Sequence, residues 1–392
     1  MPKPAYPRPA YFEFFAGGGM ARLGLESNWD CAFANEWSRK KADAYVARFG
    51  SGRPRRCAEL FVGDVASLTP AQIPRAADLA WASFPCQDLS LAGMGAGLRG
   101  SRSGTFRPFW KLIQRLARDQ RAPRIVVLEN VTGAITSHQG KDFGCLMETL
   151  ADGGYRAGAM VIDAVRFLPQ SRPRLFIVGI EAGAPVSSEL SKPYPSPEWH
   201  TSSLCCAYQK LSPRAKNNWL WWHLPTPPER RCTFRSIIEE QPSDVAWHTP
   251  EQTQTLLRMM SRLNLAKVRE AQAEGKLRIG TLYRRTRPIG DGEKAQRAEV
   301  RFDDVAGCLR TPTGGSSRQT IVVVEGRRVR SRLLSSREAA RLMGVPDDYP
   351  VPANYNEAYH LFGDGLAVPV VRWLSQRLLL PLALETAQRA AA

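Results

Sequence analysis

This chain holds no apolar run approaching the roughly 20 residues that a membrane-spanning helix needs, and Leu378-Leu379-Leu380 is cut at once by Pro381. No membrane partner is therefore expected. The start, Met1-Pro2-Lys3-Pro4, leads into no apolar core of the secretory kind. Eight cysteines, at 31, 57, 86, 145, 205, 206, 232 and 308, lack the framework spacing of a disulfide-stapled fold. That points to a reducing, cytoplasmic setting. Cys-x-x-Cys spacing is missing too, so Cys205, Cys206 and Cys232 with His200 and His223 make a poor zinc set, and no metal is expected. Negative charge is in deficit: 37 Asp plus Glu against 54 Lys plus Arg leave a net +17, with an isoelectric point near 9.8. A polyanionic partner is favoured, because basic side chains release condensed counterions from nucleic acid. Charge alone would equally fit a ribosomal or membrane-surface protein.

What is present is alternation. At 392 residues the chain can bury a large core, and its length suggests two or three domains. Strand and helix signals alternate through the first 180 residues: 11–15 then 21–26, 31–35 then 38–49, 79–83 then 106–118. This is the pattern of a parallel sheet covered by helices. Gly17-Gly18-Gly19 between the first strand and helix lets a ligand approach the backbone. Glu36 falls about 20 residues on, where an acid can bind ribose hydroxyls. A nicotinamide site would want glycine three residues after Gly19, and Arg22 stands there. Taken alone, the loop could still be such a site.

A second concentration of signals lies at the strand ends. Ser83-Phe84-Pro85-Cys86-Gln87 delivers one thiol from a buried strand into a Gly- and Ser-rich loop, a position suited to a nucleophile. A single cysteine is more often a small core hydrophobe; its companions decide otherwise. The β-branched run 124–131 ends in Glu129, at the edge where a parallel sheet presents its functional groups. Gln170-Ser171-Arg172-Pro173-Arg174 sets two fixed positive charges at the start of the apolar run 175–179.

Phe-Pro-Cys-Gln at 84–87, Glu-Asn-Val at 129–131 and Gln-x-Arg-x-Arg at 170–174, in this order, resemble the DNA (cytosine-5) methyltransferases. The resemblance extends to Phe15-Ala16-Gly17-Gly18-Gly19, to 337–347 and to Gly363-Asp364-Gly365, leaving only about 183–300 uncovered. It implies an α/β, Rossmann-like S-adenosylmethionine-dependent methyltransferase sheet with a second, smaller target-recognition domain. It further implies a catalytic set of Cys86, Glu129, Arg172 and Arg174. Cofactor contacts would come from Phe15, Gly17, Gly19, Glu36, Trp37, Asp64, Pro85 and Asp364. Three departures are visible: Glu13-Phe14-Phe15 stands where Asp-Leu-Phe is usual, Met20 where glycine is common, and Asp364 where Asn is frequent.

The chemistry accounts for these residue types. Carbon 5 of cytosine is a poor nucleophile until something adds at carbon 6, which is a task for a thiolate. A target stacked in a duplex must first be flipped out. The loop 88–104, with five glycines, Arg99 and Arg102, has the charge and freedom to close over a DNA backbone beside Gln87. Boundaries are expected at 1–182 for the catalytic domain, 183–349 for recognition, and 350–392 for a segment returning to the first domain. The recognition interval holds Trp199, Trp219, Trp221, Trp222 and Trp247, expected mostly as core. Arg284, Arg285 and Arg287 are expected at phosphates, which position the protein without reading sequence. The stretch 311–318 is a candidate DNA-facing loop. The resulting expectation is a monomer that methylates double-stranded DNA, with a cognate restriction endonuclease as a possible partner. Methylation of transfer RNA and a catalytically inactive DNA-binding relative are the alternatives.

Overall fold

The computed structural model describes residues 8–50, 59–73, 76–85, 103–290, 293–311 and 317–391. Cys86, Gln87, Arg99, Arg102 and most of the loops 88–104 and 311–318 lie outside them. The chain divides into two compact units. One takes the residues up to Ile162, Pro173–Pro227 and the segment from Val370 onward; the other takes Asp163–Arg172 and Pro228–Pro369.

The first unit is built on a seven-stranded sheet of β1 (Ala10–Phe14), β2 (Asp30–Glu36), β3 (Glu59–Val62), β4 (Leu79–Ala82), β5 (Ile125–Val131), β6 (Tyr155–Asp163) and β7 (Pro173–Glu181). Their order is β3-β2-β1-β4-β5-β7-β6. Strands β3 to β5 pair in parallel, whereas β7 runs antiparallel to β5. The reason lies in the sequence: β1, β4 and β5 are nearly continuous apolar runs, as strands covered on both faces must be. Crossover helices α1 (Met20–Leu25), α2 (Arg39–Phe49), α3 (Phe106–Arg118) and α4 (Lys141–Asp152) supply the cover. In α3, Phe106, Phe109, Trp110, Ile113 and Leu116 recur at helical spacing and are buried, while Arg107, Lys111 and Arg115 fall between them. Each such aromatic or aliphatic side chain contributes about 1.5–3 kcal/mol by leaving water.

The chain reverses its direction of progress along the sheet between β1 and β4. Ligands of such sheets bind at that point, outside the carboxyl ends of the strands.

The segment 183–227 groups with the first unit, so the contact boundary lies at Pro227 and not at the expected 183. Its tryptophans explain this: Trp222 is fully buried and donates its indole N–H to Val178 O of β7 at 3.1 Å. Trp199, equally buried, donates to Leu224 O at 2.9 Å. A short ribbon of β8 (Ser191–Lys192) and β9 (Trp221–Trp222) completes this region. The C-terminal segment joins the unit from Val370. There Ser375 Oγ accepts from the Trp29 indole at 2.9 Å, and a Cβ added at Gly24 would lie 2.5 Å from Val371 Cβ. The apolar stretch Tyr355–Thr386 is long enough to cross a membrane by length and composition alone, but 67% of its most apolar window is buried inside the protein.

The second unit centres on an antiparallel sheet of β10 (Arg278–Gly290), β11 (Glu293–Arg301), β12 (Thr320–Glu325) and β13 (Arg328–Leu333), in the order β11-β10-β12-β13. One face buries Leu282, Ala298, Val300, Val322 and Val324 with Val268 and Ala271 of the helix Arg262–Ala273. Along β10, polar residues replace apolar ones from Arg284 onward, and the β10–β11 ribbon is solvent-exposed there.

Candidate active site

At the carboxyl end of β5 the Glu129 carboxylate is buried to 8% exposure. Antiparallel pairing sets Val131 opposite Arg174, so the guanidinium of β7 reaches the same edge. Arg174 Nε lies 3.4 Å from Glu129 Oε1, both side chains being largely sheltered. A half-dry ion pair of this kind holds its two groups in a defined orientation and is stronger than one on an open surface.

Next along the edge, β4 ends at Ala82 and releases Ser83, Phe84 and Pro85. Phe84 is buried and packs against Phe106, with ring centroids 5.4 Å apart. Its carbonyl accepts a hydrogen bond from Asn130 Nδ2 at 3.3 Å, and Asn130 Oδ1 accepts the Val131 N–H at 2.9 Å. Asn130 therefore ties the base of the Pro85-Cys86 loop to the strand that holds Glu129. Sequence reasoning gave it no role; the available signal was an amide at a β-strand end, directly after the acid.

The left half of the edge, β1 to β3, holds the expected cofactor residues. Phe15 and Gly17 leave β1 with φ of 59° and 56°. A Cβ added at Gly17 would meet nothing within 4 Å, so the bend opens space beside the loop. Gly19 differs: at φ 78° its added Cβ would lie 2.3 Å from the Phe49 ring, and packing demands the glycine. Glu36, buried at the end of β2, accepts the Gly17 N–H on Oε2 at 2.7 Å and the Ser38 N–H on Oε1 at 2.8 Å. It shapes the loop and the start of α2, and each oxygen keeps a second lone pair for a hydroxyl. Beside it Trp37 is 73% exposed, a large apolar surface at a strand end. Asp64, after β3, is exposed and caps a short turn through the Ala66 N–H at 2.9 Å. A bent loop with room alongside it, an open indole and two carboxylates fit a nucleoside with a short charged tail.

Beneath the loop is a buried polar cluster that the sequence pattern did not reveal. Arg22 donates to Tyr45 Oη at 2.9 Å, and Tyr45 Oη stands 3.5 Å from Glu13 Oε2. Burial pushes the Glu13 carboxyl up to about 8, against the opposing influence of Arg22.

In the second unit, Arg172 is 2% exposed. Its Nη1 donates to Leu309 O at 2.9 Å and Cys308 Sγ at 3.3 Å; its Nη2 donates to Gly363 O at 2.9 Å and Gly365 O at 2.7 Å. Gln170, also buried, donates to Leu342 O at 2.7 Å and accepts the Leu309 N–H at 3.1 Å. The Gln-Ser-Arg half of the motif thus binds backbone of its own unit. Asp364 is exposed at the end of the helix Tyr355–Gly363. On the exposed ribbon, Arg285 and Arg287 flank Glu299 of β11 at 3.8 and 2.5 Å. Arg285 also lies 4.5 Å over the Tyr283 ring, and the Arg284 N–H donates to Ser317 Oγ at 2.7 Å. Among the described residues no group of three His, Cys, Asp or Glu side chains is placed to hold a metal.

The C-5 cytosine-specific DNA methylase family model matches residues 10–379, spanning both units and every motif above. The chain belongs to that family. As a DNA cytosine-5 methyltransferase it resembles the Type II methyltransferase M.BsuFI of Bacillus subtilis, at 26% identity over 94% of this chain and 73% of the relative. It resembles M.HpaII of Haemophilus parainfluenzae at 25% identity over 94% and 88%. The solved structure of the Entamoeba histolytica methyltransferase EhMeth superimposes with a TM-score of 0.59 at 14% identity, covering 96% of this chain and 99% of that one. The fold is that of the S-adenosylmethionine-dependent methyltransferases.

Proposed function

We propose that the enzyme transfers a methyl group to carbon 5 of a cytosine flipped out of a specific double-stranded DNA sequence, through a covalent adduct on Cys86. S-adenosylmethionine, for which Phe15, Gly17, Gly19, Glu36, Trp37, Asp64, Pro85 and Asp364 are the proposed contacts, would supply the methyl on a sulfonium. The Cys86 thiolate adds to carbon 6, forming a sulfur–carbon bond as the ring's double-bond electrons move toward carbon 5 and nitrogen 3. Glu129, donating a proton at nitrogen 3 and accepting from the exocyclic amine, offsets that charge. Arg174 holds the carboxyl and the base oxygen in register, and Arg172 supports the motif from within the second unit. Carbon 5 then takes the methyl as a neutral thioether departs, a base removes the carbon-5 proton, and the electrons of that bond restore the ring double bond as the sulfur–carbon bond breaks and frees the thiolate.

The single observation behind this reading is the sheltered Glu129–Arg174 pair, 3.4 Å apart, on the strand that Asn130 links to the Pro85 loop. Gln87, Arg99 and Arg102 are proposed to follow the DNA, with Arg284, Arg285 and Arg287 at phosphates. The interval 228–349 is proposed as the recognition domain. A monomer is proposed, and a cytoplasmic setting, the latter in keeping with free thiols at Cys31, Cys145, Cys205, Cys206, Cys232 and Cys308. The Type II naming of the relatives supports a cognate restriction endonuclease.

The test is incubation with S-adenosylmethionine and unmethylated DNA, or transfer RNA in parallel, read by nucleoside mass spectrometry. A DNA oligonucleotide bearing 5-fluorocytosine should trap an adduct that Cys86→Ala cannot form. Methylation by Cys86→Ala, or of the RNA alone, would overturn the proposal.

A further inference from the structure

The first unit carries a cavity of about 430 Å³ lined by Arg156, Lys192 and Lys216 and by Tyr208, Trp219 and Trp221. It lies away from the catalytic edge. Arg156 follows Tyr155, whose hydroxyl donates to Pro123 O at 2.6 Å, just before β5 begins, whereas Glu129 stands near the far end of that strand.

Three cations share this space, and none of the described residues lining it is acidic. Lys216 donates to Gln209 O at 2.6 Å and lies 5.9 Å over the Tyr208 ring, leaving further ammonium protons to offer. Arg156 is anchored through Nη2 to Ala184 O at 2.5 Å, while its Nε is buried without a partner. The Trp219 indole N–H is buried and unpartnered as well. Such donors are costly to leave unsatisfied. Ser187, Ser188 and Ser191 add three hydroxyls to the wall. The Ser187 backbone is fixed from outside, its N–H donating to Glu385 Oε2 at 3.2 Å. The lining also holds an aromatic trio: Trp219 and Trp221 are 5.0 Å apart, and Tyr208 is 5.2 and 4.8 Å from them.

We propose that this cavity binds a phosphate monoester carried on a flat aromatic ring, the chemistry of a nucleoside monophosphate, free or at the 5′ end of a nucleic-acid strand. Three positive charges with hydroxyl donors match a dianion with three acceptor oxygens better than a single carboxylate. The aromatic wall supplies the stacking surface that a base prefers. The volume falls within the range of small-molecule sites, roughly 300–1,000 Å³.

The test is tryptophan fluorescence titration of the full-length protein with deoxycytidine 5′-monophosphate, deoxycytidine, inorganic phosphate, and a short oligonucleotide with or without a 5′-phosphate. Saturable quenching by the nucleotide is expected, with deoxycytidine and phosphate each weaker by at least about tenfold. Lys192→Ala and Lys216→Ala, both at half-buried positions, should each weaken nucleotide binding by about tenfold with an unchanged melting temperature. Quenching by the phosphorylated oligonucleotide alone, lost in the double variant, identifies a strand end as the source; quenching by the free nucleotide identifies a soluble one. No saturable binding of either, equal binding by the double variant, or phosphate binding as tightly as the nucleotide would overturn the proposal.

Discussion

Arg174 Nε and Glu129 Oε1 stand 3.4 Å apart across two antiparallel strands, with both side chains sheltered. The guanidinium is proposed to help keep this carboxyl aimed along the sheet edge. Arg174→Ala should therefore slow single-turnover methyl transfer by about 10²–10³, the usual loss when one preorganised donor is removed from an active site. DNA affinity should change far less. A single-turnover rate within threefold of the unaltered enzyme would sink the assignment.

Arg172 should behave differently, although it sits two residues away in the same motif. Among the described residues its guanidinium ends donate to three backbone carbonyls and one sulfur of its own unit. Removing the fork strands those carbonyls at about 1–3 kcal/mol each. Arg172→Met should lower the melting temperature by several degrees, and by more than Arg174→Ala, which breaks one sheltered ion pair. Arg172→Lys should not restore stability, because a compact ammonium cannot span the Leu309, Gly363 and Gly365 carbonyls together. Calorimetry of the three variants decides the point, and equal melting temperatures would refute it.

Asn130 supplies a third prediction. Its side chain spans from β5 to the carbonyl of Phe84, two residues before Cys86. Asn130→Ala should destabilise the protein by about 1 kcal/mol, the net worth of a hydrogen bond. It should slow trapping on 5-fluorocytosine DNA by a larger factor than that stability loss explains. Trapping at the normal rate would show that the loop is positioned without it.

Most of the sheet was legible because its strands are buried on both faces. The runs around Phe12, Ala80 and Val127 leave little choice of structure, and α3 was delimited to the residue by its apolar spacing. Glu129 and Arg174 were legible as strand-end charges. What sequence could not supply was long-range pairing. Nothing near Arg172 signals that it meets carbonyls at 309, 363 and 365, and its place two residues from Arg174 in one motif suggested a shared task. The tryptophans at 199 and 222 looked like the start of a new domain because local strand–helix alternation ends near 183. Their burial places them with the sheet.

Glu13 was visible only as a departure from the usual aspartate, yet its burial has a consequence that can be measured. Desolvation raises its carboxyl to about 8, and its Oε1 has no hydrogen-bond partner. Between the ordinary value of 4.5 and about 8, the folded protein holds a proton that the unfolded chain has released. Stability is therefore fully present below that window and declines as pH rises through it, by at most about 1.4 kcal/mol per pH unit for one proton. Glu13→Gln keeps the shape of the protonated acid and has nothing to release. Its stability relative to the unaltered protein should grow from pH 5 to pH 8 in urea denaturation, by about one to a few kcal/mol once water penetration is allowed for. Parallel pH profiles for the two proteins would show that Glu13 does not titrate there. In that case Arg22, already bonded to Tyr45 at 2.9 Å, would be holding the carboxylate ionised beneath the glycine loop.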